Sequence, residues 1–136
     1  MTPLSRNIFK ELSSIELRIL KMKENIILYK TVNFSVGIRK YCEVLMSKKE
    51  SAIACQLLRY GMAIGANVAE AQNAESRSDF IHKMKIASKE ASETSYWHSI
   101  CEKMNNFGFQ NELTDDLKQI IAILSKIIIS AKKNLK

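Results

Sequence analysis

The stretch QLLRYGMAIGANVAEAQ, from Gln56 to Gln72, limits what this chain can fold into more than any other. Leu57, Gly61, Ile64, Val68 and Ala71 recur at i, i+4, i+7, i+11 and i+14, the 3.6-residue period of a helix with one buried stripe. The opposite face carries Gln56, Arg59, Ala63, Ala66 and Glu70. A freely solvated face would carry long charged side chains throughout, so small residues here predict a helix approached from two sides. Gly61 and Gly65 each cost about 1 kcal/mol against alanine in a helix interior, and close packing is the expected compensation.

Amphipathic periodicity predicts three more helices around this one. The first covers 24–46, with Ile27, Phe34, Ile38, Tyr41 and Leu45 on its stripe. Ser47-Lys48-Lys49 connects it to helix 2 at 50–71. Helix 3 is expected at 79–106, capped by Ser76 with Asp79 or by Ser78, with Phe80, Met84, Ala87, Ala91, Thr94 and Cys101 facing inward. Gly108 is a natural stop, being tolerant of φ > 0. Helix 4 starts near 112 or 114 and turns Leu113, Leu117, Ile120, Leu124, Ile127 and Ile128 to the core. Asp115 and Asp116 suit the positive end of its dipole, and Lys132, Lys133 and Lys136 the negative end. Short polar connections between amphipathic helices predict an all-α, antiparallel up-down-up-down four-helix bundle. Ile121, Ile123 and Ile129 are apolar beyond the stripe of helix 4. With the two-sided helix 2, they predict a cyclic homo-oligomer.

Pro3 is the single proline, so nothing after it forces a break, and β-branched alternation bounded by turn residues is absent. At 136 residues the chain suits one domain with a core that needs no staples. Residues 24–136 form that domain, and 1–23 read as a peripheral extension. In the extension Ile8, Leu12, Ile15 and Ile19 keep helical spacing, and Ser13 with Glu16 fits a capping box. Met22 reads as an internal start codon, because the strong pattern begins just after it. The apolar runs of helices 2 and 4 are interrupted by Arg59, Glu70, Lys118 and Lys126, far short of the roughly 20 residues that span a bilayer. The N-terminus has no uncharged apolar core of the signal-peptide kind. Cys42, Cys55 and Cys101 are odd in number and lack metal-type spacing. They read as reduced thiols packed as small hydrophobes, which predicts a cytoplasmic protein with no membrane partner.

The net charge of +7 favours an acidic partner such as nucleic acid. Part of it, +3, sits in the first 23 residues, and residues 24–136 carry 16 basic against 12 acidic side chains. Helix 3 offers the more specific feature. His82, Lys85, Lys89, Tyr96 and Lys103 fall at i, i+3, i+7, i+14 and i+21, one outward stripe of cations with an aromatic. Such a stripe can contact phosphates and bases, and a merely solvated face has the same pattern. Arg59, Asn67 and Glu70 on helix 2, with Glu90 and Glu93 on helix 3, can form an inter-helix polar network. That network, with Ala63 and Ala66, would set helix register or subunit pairing. The alternative is separate solvated side chains.

Catalytic and metal chemistry find no support. Di-metal bundle sites need Glu-x-x-His on two helices, and neither Glu90 nor Glu93 has a histidine at the third position after it. His98 and Cys101 lie one turn apart without a second pair and read as a boundary histidine over a core cysteine. No phosphate loop, dinucleotide fingerprint or nucleophile elbow occurs. The expectation is a non-enzymatic protein without cofactors.

The segment QLLRYGMAIGANVAEAQNAESRSDFIHKMKIASKEASETSYW, Gln56 to Trp97, resembles the bacterial proteins encoded in intervening sequences of large-subunit ribosomal RNA genes. The likeness extends more loosely over 25–132. Arg59, Gly65, Asn67, Glu70, Ala71, Phe80, Glu90, Glu93 and Trp97 match the family's motif positions. The resemblance implies a four-helix bundle assembled as a ring-like homopentamer, with structural roles for those residues. It also implies structured RNA or a reverse-transcriptase-like protein as partner, because the accessory factor of diversity-generating retroelements is a similar basic pentamer. This chain is less basic than that relative outside its extension. The competing class is a protein-interaction scaffold whose charge serves solubility alone.

The extension lies outside both the pattern and the resemblance. A chain starting at Met22 is therefore expected to unfold cooperatively at nearly the temperature of the full chain. A loss above about 3 kcal/mol, the scale of a buried large side chain, would mean that 1–21 pack in the core.

Overall fold

The computed structural model describes residues 13–16, 25–104 and 111–134. Four long helices make up most of it: α1 (Ile26–Ser47), α2 (Ser51–Ala71), α3 (Arg77–Lys103) and α4 (Asn111–Lys133). Residues 14–16 add one helical turn, and no strand occurs among the described residues. The Ser13–Glu16 capping box forms as its spacing predicts. Glu16 N–H donates to Ser13 Oγ at 3.1 Å, and Ser13 N–H donates to Glu16 Oε2 at 2.8 Å. The rest of 1–23, and Gly108 as the stop of helix 3, lie outside the described residues. So do Asn105 and Asn106, the last residues expected in that helix. No described helix is long and apolar enough to cross a membrane.

Helix ends follow local chemistry. Asn25 caps α1, accepting from Leu28 N–H at 3.3 Å, while its amide donates to Gln72 Oε1 at 2.8 Å. The start of α1 is thereby fastened to the end of α2. Ser76 caps α3 through Asp79 N–H at 3.0 Å, so the helix begins at Arg77, two residues before the predicted start. Asp79 reaches back to Glu75 N–H at 3.2 Å. The tight α1–α2 connection is a Schellman turn. Glu50 N–H donates to Leu45 O at 2.9 Å and Lys49 N–H to Met46 O at 3.0 Å, with Lys49 at φ 64°.

Each helix packs against two others: α1 and α3 both touch α2 and α4. The core is built from Ile27, Phe34, Ile38 and Leu45 of α1, Leu57, Ile64 and Val68 of α2, Met84, Ala87 and Ala91 of α3, and Leu113, Leu117, Ile120 and Leu124 of α4. Every residue of the predicted α1 and α2 stripes is buried. Two details differ at the other helices. Ile81, not Phe80, opens the buried stripe of α3. Phe80 is half-buried one step around the helix, where it lines one shallow groove with Ala71 and Gln72 at the end of α2 and another with Ile127 and Ala131 of α4. On α4, Ile127 and Ile128 are half-buried and Ala131 completes the stripe.

The two glycines of α2 face α1. A Cβ at Gly61 would lie 3.0 Å from Ile38 Cγ2, and one at Gly65 would lie 3.1 Å from Thr31 Cβ. Gly37 of α1 serves the same purpose toward α4, where a Cβ would stand 2.5 Å from Leu113 Cδ2. Thr31 and Thr94 are buried without cost to their hydroxyls, which donate to Leu28 O at 2.9 Å and Glu90 O at 2.8 Å.

His98 joins the buried stripe of α3 between Thr94 and Cys101. Its Nε2 lies 3.4 Å from Thr114 Oγ1 of α4 and 3.7 Å from Glu102 Oε1. Burial lowers its pKa and outweighs the opposing pull of Glu102, with Lys118 adding to the lowering.

Two outcomes follow. Lys49→Gly removes a left-handed non-glycine residue and is expected to add about 1 kcal/mol of stability. Calorimetry should register this as a rise in Tm of about 3–5 °C. For His98 the folded state prefers the neutral ring, so the unfolded state takes up the proton first. Its contribution is complete above the ordinary histidine pKa and is lost as pH falls below that value and through the lower folded one. Thermal scans from pH 7.5 to about 5.5 should show Tm falling, by at most about 1.4 kcal/mol of stability per pH unit for one proton. His98→Gln should flatten that slope, and an unchanged slope would assign the pH dependence elsewhere.

Candidate nucleic-acid interface

Because Met84, Ala87, Ala91, Thr94 and Cys101 fix the rotation of α3, its opposite side must face outward. His82, Lys85, Lys89, Tyr96 and Lys103 all lie on that side and all are exposed. From His82 to Lys103 the stripe runs about 30 Å along the helix axis. Tyr96 is 60% exposed. Its ring stands edge-to-face on Trp97, with centroids 5.5 Å apart and planes at 77°. Trp97 itself is half-buried against the core.

Lys83 and Glu70 tie the neighbouring flank of α3 to α2. Lys83 Nζ donates to Glu70 Oε2 at 3.0 Å, and this hydrogen bond raises the lysine pKa. Lys83 was absent from the network drawn from the sequence. It sits 13 residues from Glu70, a separation without local pattern. Of the residues named for that network, Asn67 turns its amide to Ala63 O of its own helix at 2.9 Å. The Arg59 guanidinium lies 5.7 Å from the centroid of the Tyr60 ring. Glu90 and Glu93 are half-buried on α3.

A second surface lies across α1 and α2. Val32, Val36, Leu58 and Met62 are exposed apolar side chains, with Val36 at 50% and Met62 at 40%. A groove of about 350 Å³ between the helices is lined by Thr31, Val32, Ser35, Val36, Arg39, Met62, Gly65 and Ala66. Ala66 is exposed, while Ala63 is half-buried. Another groove, of about 550 Å³, separates α1 from α4. Lys30 and Lys40 oppose Glu112 and Asp116 along it, so it carries no single sign of charge. Sequence periodicity gave no sign of this groove, because it depends on how far apart two helices sit.

Two of the three thiols are buried. Burial pushes the Cys42 thiol up to about 11 and raises that of Cys101, so both stay protonated at neutral pH. Cys42 donates to Ala54 O at 3.4 Å, a further α1–α2 link. Cys55 is exposed. Among the described residues, no three His, Cys, Asp or Glu side chains gather as metal ligands would.

The chain is similar to known proteins in both sequence and structure. A family described as 23S rRNA-intervening sequence protein matches residues 23–130. A crystal structure of a protein of unknown function from the S23 ribosomal protein family of Bacteroides thetaiotaomicron VPI-5482 is also similar. It is 36% identical with a TM-score of 0.72, and the match covers 75% of this chain and 97% of that one. No protein with a curated description matches.

Proposed function

The chain belongs to the 23S rRNA-intervening sequence protein family, and from that membership we propose a non-enzymatic, oligomeric, cytoplasmic protein that binds RNA or works within a ribonucleoprotein. One observation carries the reading: His82, Lys85, Lys89, Tyr96 and Lys103 are all exposed on one side of α3. Cations at that spacing can follow a phosphate backbone, and the tyrosine adds a surface for bases. The family's name supplies the ribosomal RNA setting.

Fluorescence anisotropy with structured RNA at two salt concentrations tests it. Binding should weaken steeply as salt rises, because each neutralised phosphate releases counterions. Absence of binding at low salt would leave the scaffold reading, which the exposed apolar residues of α1 and α2 favour.

For the architecture we propose an up-down-up-down bundle. Four α1–α2 contacts support antiparallel packing: Asn25 with Gln72, Thr31 with Gly65, Ile38 with Gly61, and Cys42 with Ala54. On α4, Lys30 bonds Gln119 and Gly37 meets Leu113, which supports the same alternation. The assembly proposed is a cyclic homo-oligomer, a pentamer on the family resemblance. Its contact joins the small outward face of α2 to α4 of the next subunit, where Ile129 is 54% exposed.

Ala66→Glu is expected to break that assembly and leave each subunit helical. It brings charge and bulk into a close contact, costing several kcal/mol (on the order of an unpaired buried charge). Light scattering and circular dichroism read the two effects separately. An unchanged mass would mean that this face of α2 meets solvent.

A further inference from the structure

Within the outward stripe of α3, four residues stand at equal intervals. His82, Lys89, Tyr96 and Lys103 are seven residues apart, so each step rises about 10.5 Å and falls about 20° short of two full turns. The four side chains therefore form a nearly straight ladder in which one aromatic ring has a lysine two turns away on either side. All four are exposed. Ser92 and Ser99, also exposed, flank the ring, and the Ser99 hydroxyl donates to Ser95 O at 3.0 Å.

The ring meets Trp97 in a T-shaped contact and is otherwise largely open. Its 60% exposure means that little burial explains a tyrosine at this position. The edge-to-face contact with Trp97 restricts the ring, and Trp97 is anchored on the core. Such a braced aromatic suits a flat, apolar ligand face, while the two lysines suit the phosphates on either side.

Resting on the reading of α3 as an RNA-binding face, we propose that the ladder selects unpaired RNA, with a base stacked on Tyr96 and the flanking backbone held by Lys89 and Lys103. A duplex offers this surface much less. Its bases are stacked on one another and leave no free face for the tyrosine. The major groove of A-form RNA is deep and narrow, beyond the reach of side chains. Moreover, α3 packs against both α2 and α4 and turns only its outer stripe to solvent, so it cannot enter a groove as a free helix could.

The test is anisotropy with labelled oligo(U) and with a blunt RNA duplex of equal length, on the full chain. The wild type should bind oligo(U) more tightly than the duplex. Tyr96→Leu should weaken oligo(U) binding about 5- to 100-fold, the range of one lost base–aromatic stack, with duplex binding unmoved. Tyr96→Phe should retain the wild-type preference. Lys89→Gln should weaken both ligands and lower the salt slope by about one. Circular dichroism checks that each variant keeps its helix content. Equal oligo(U) binding by Tyr96→Leu, or a wild-type preference for duplex, overturns this inference and leaves RNA binding by α3 standing. Failure of both probes to bind at low salt overturns both readings.

Discussion

Close approach of α1 and α2 is the constraint on which the rest of the molecule depends. Ile38 and Thr31 fill the space that side chains at Gly61 and Gly65 would occupy. The helical cost of two glycines is offset by packing that only bare backbone permits. Once these helices are in contact, Cys42 reaches Ala54 O and Asn25 reaches Gln72, so the contact extends over nearly the full length of both. Large residues line up behind it: Phe34, Leu45, Leu57 and Ile64 are wholly buried. The same pairing leaves the other side of α2, with Met62 and Ala66, beside the exposed valines of α1.

The character of α3 follows from its place between α2 and α4. Its core stripe is made largely of small or polar residues, Ala87, Ala91, Thr94, His98 and Cys101. These small residues let it pack closely on α2, and polar links lie at its sides. Lys83–Glu70 fastens one flank to α2, and His98–Thr114 bridges to α4. With its rotation fixed in this way, the cations on the far side are presented to solvent as a set. Fold and candidate site thus share one cause, because the residues that hold α3 in place also decide which of its residues meet solvent.

Electrostatics sharpen this division. Lys83 lies near the stripe but is taken up by Glu70, whereas Lys85, Lys89 and Lys103 stay on the open side. Burial keeps the Cys42 and Cys101 thiols protonated and His98 neutral, so the interior carries little charge near pH 7. A quiet interior and a patterned exterior suit a protein that acts through its surface.

Periodicity by itself determined the four helices and the buried stripes of α1 and α2, and local spacing determined the cap at Ser13 and narrowed that of α3 to Ser76 or Ser78. It also determined that His82, Lys85, Lys89, Tyr96 and Lys103 share one side of a helix. A helix that buries one face must expose the opposite one. The family, too, was legible in the run from Gln56 to Trp97. Only the tertiary structure decided that Ile81 rather than Phe80 enters the core, since that choice turns on where the ends of α2 and α4 lie. Likewise, Lys83 as the partner of Glu70, the groove between α1 and α4, and the brace of Trp97 on Tyr96 required three-dimensional placement. Each depends on a distance between side chains that helical period does not encode: period sets direction around an axis, and packing sets which axes come together.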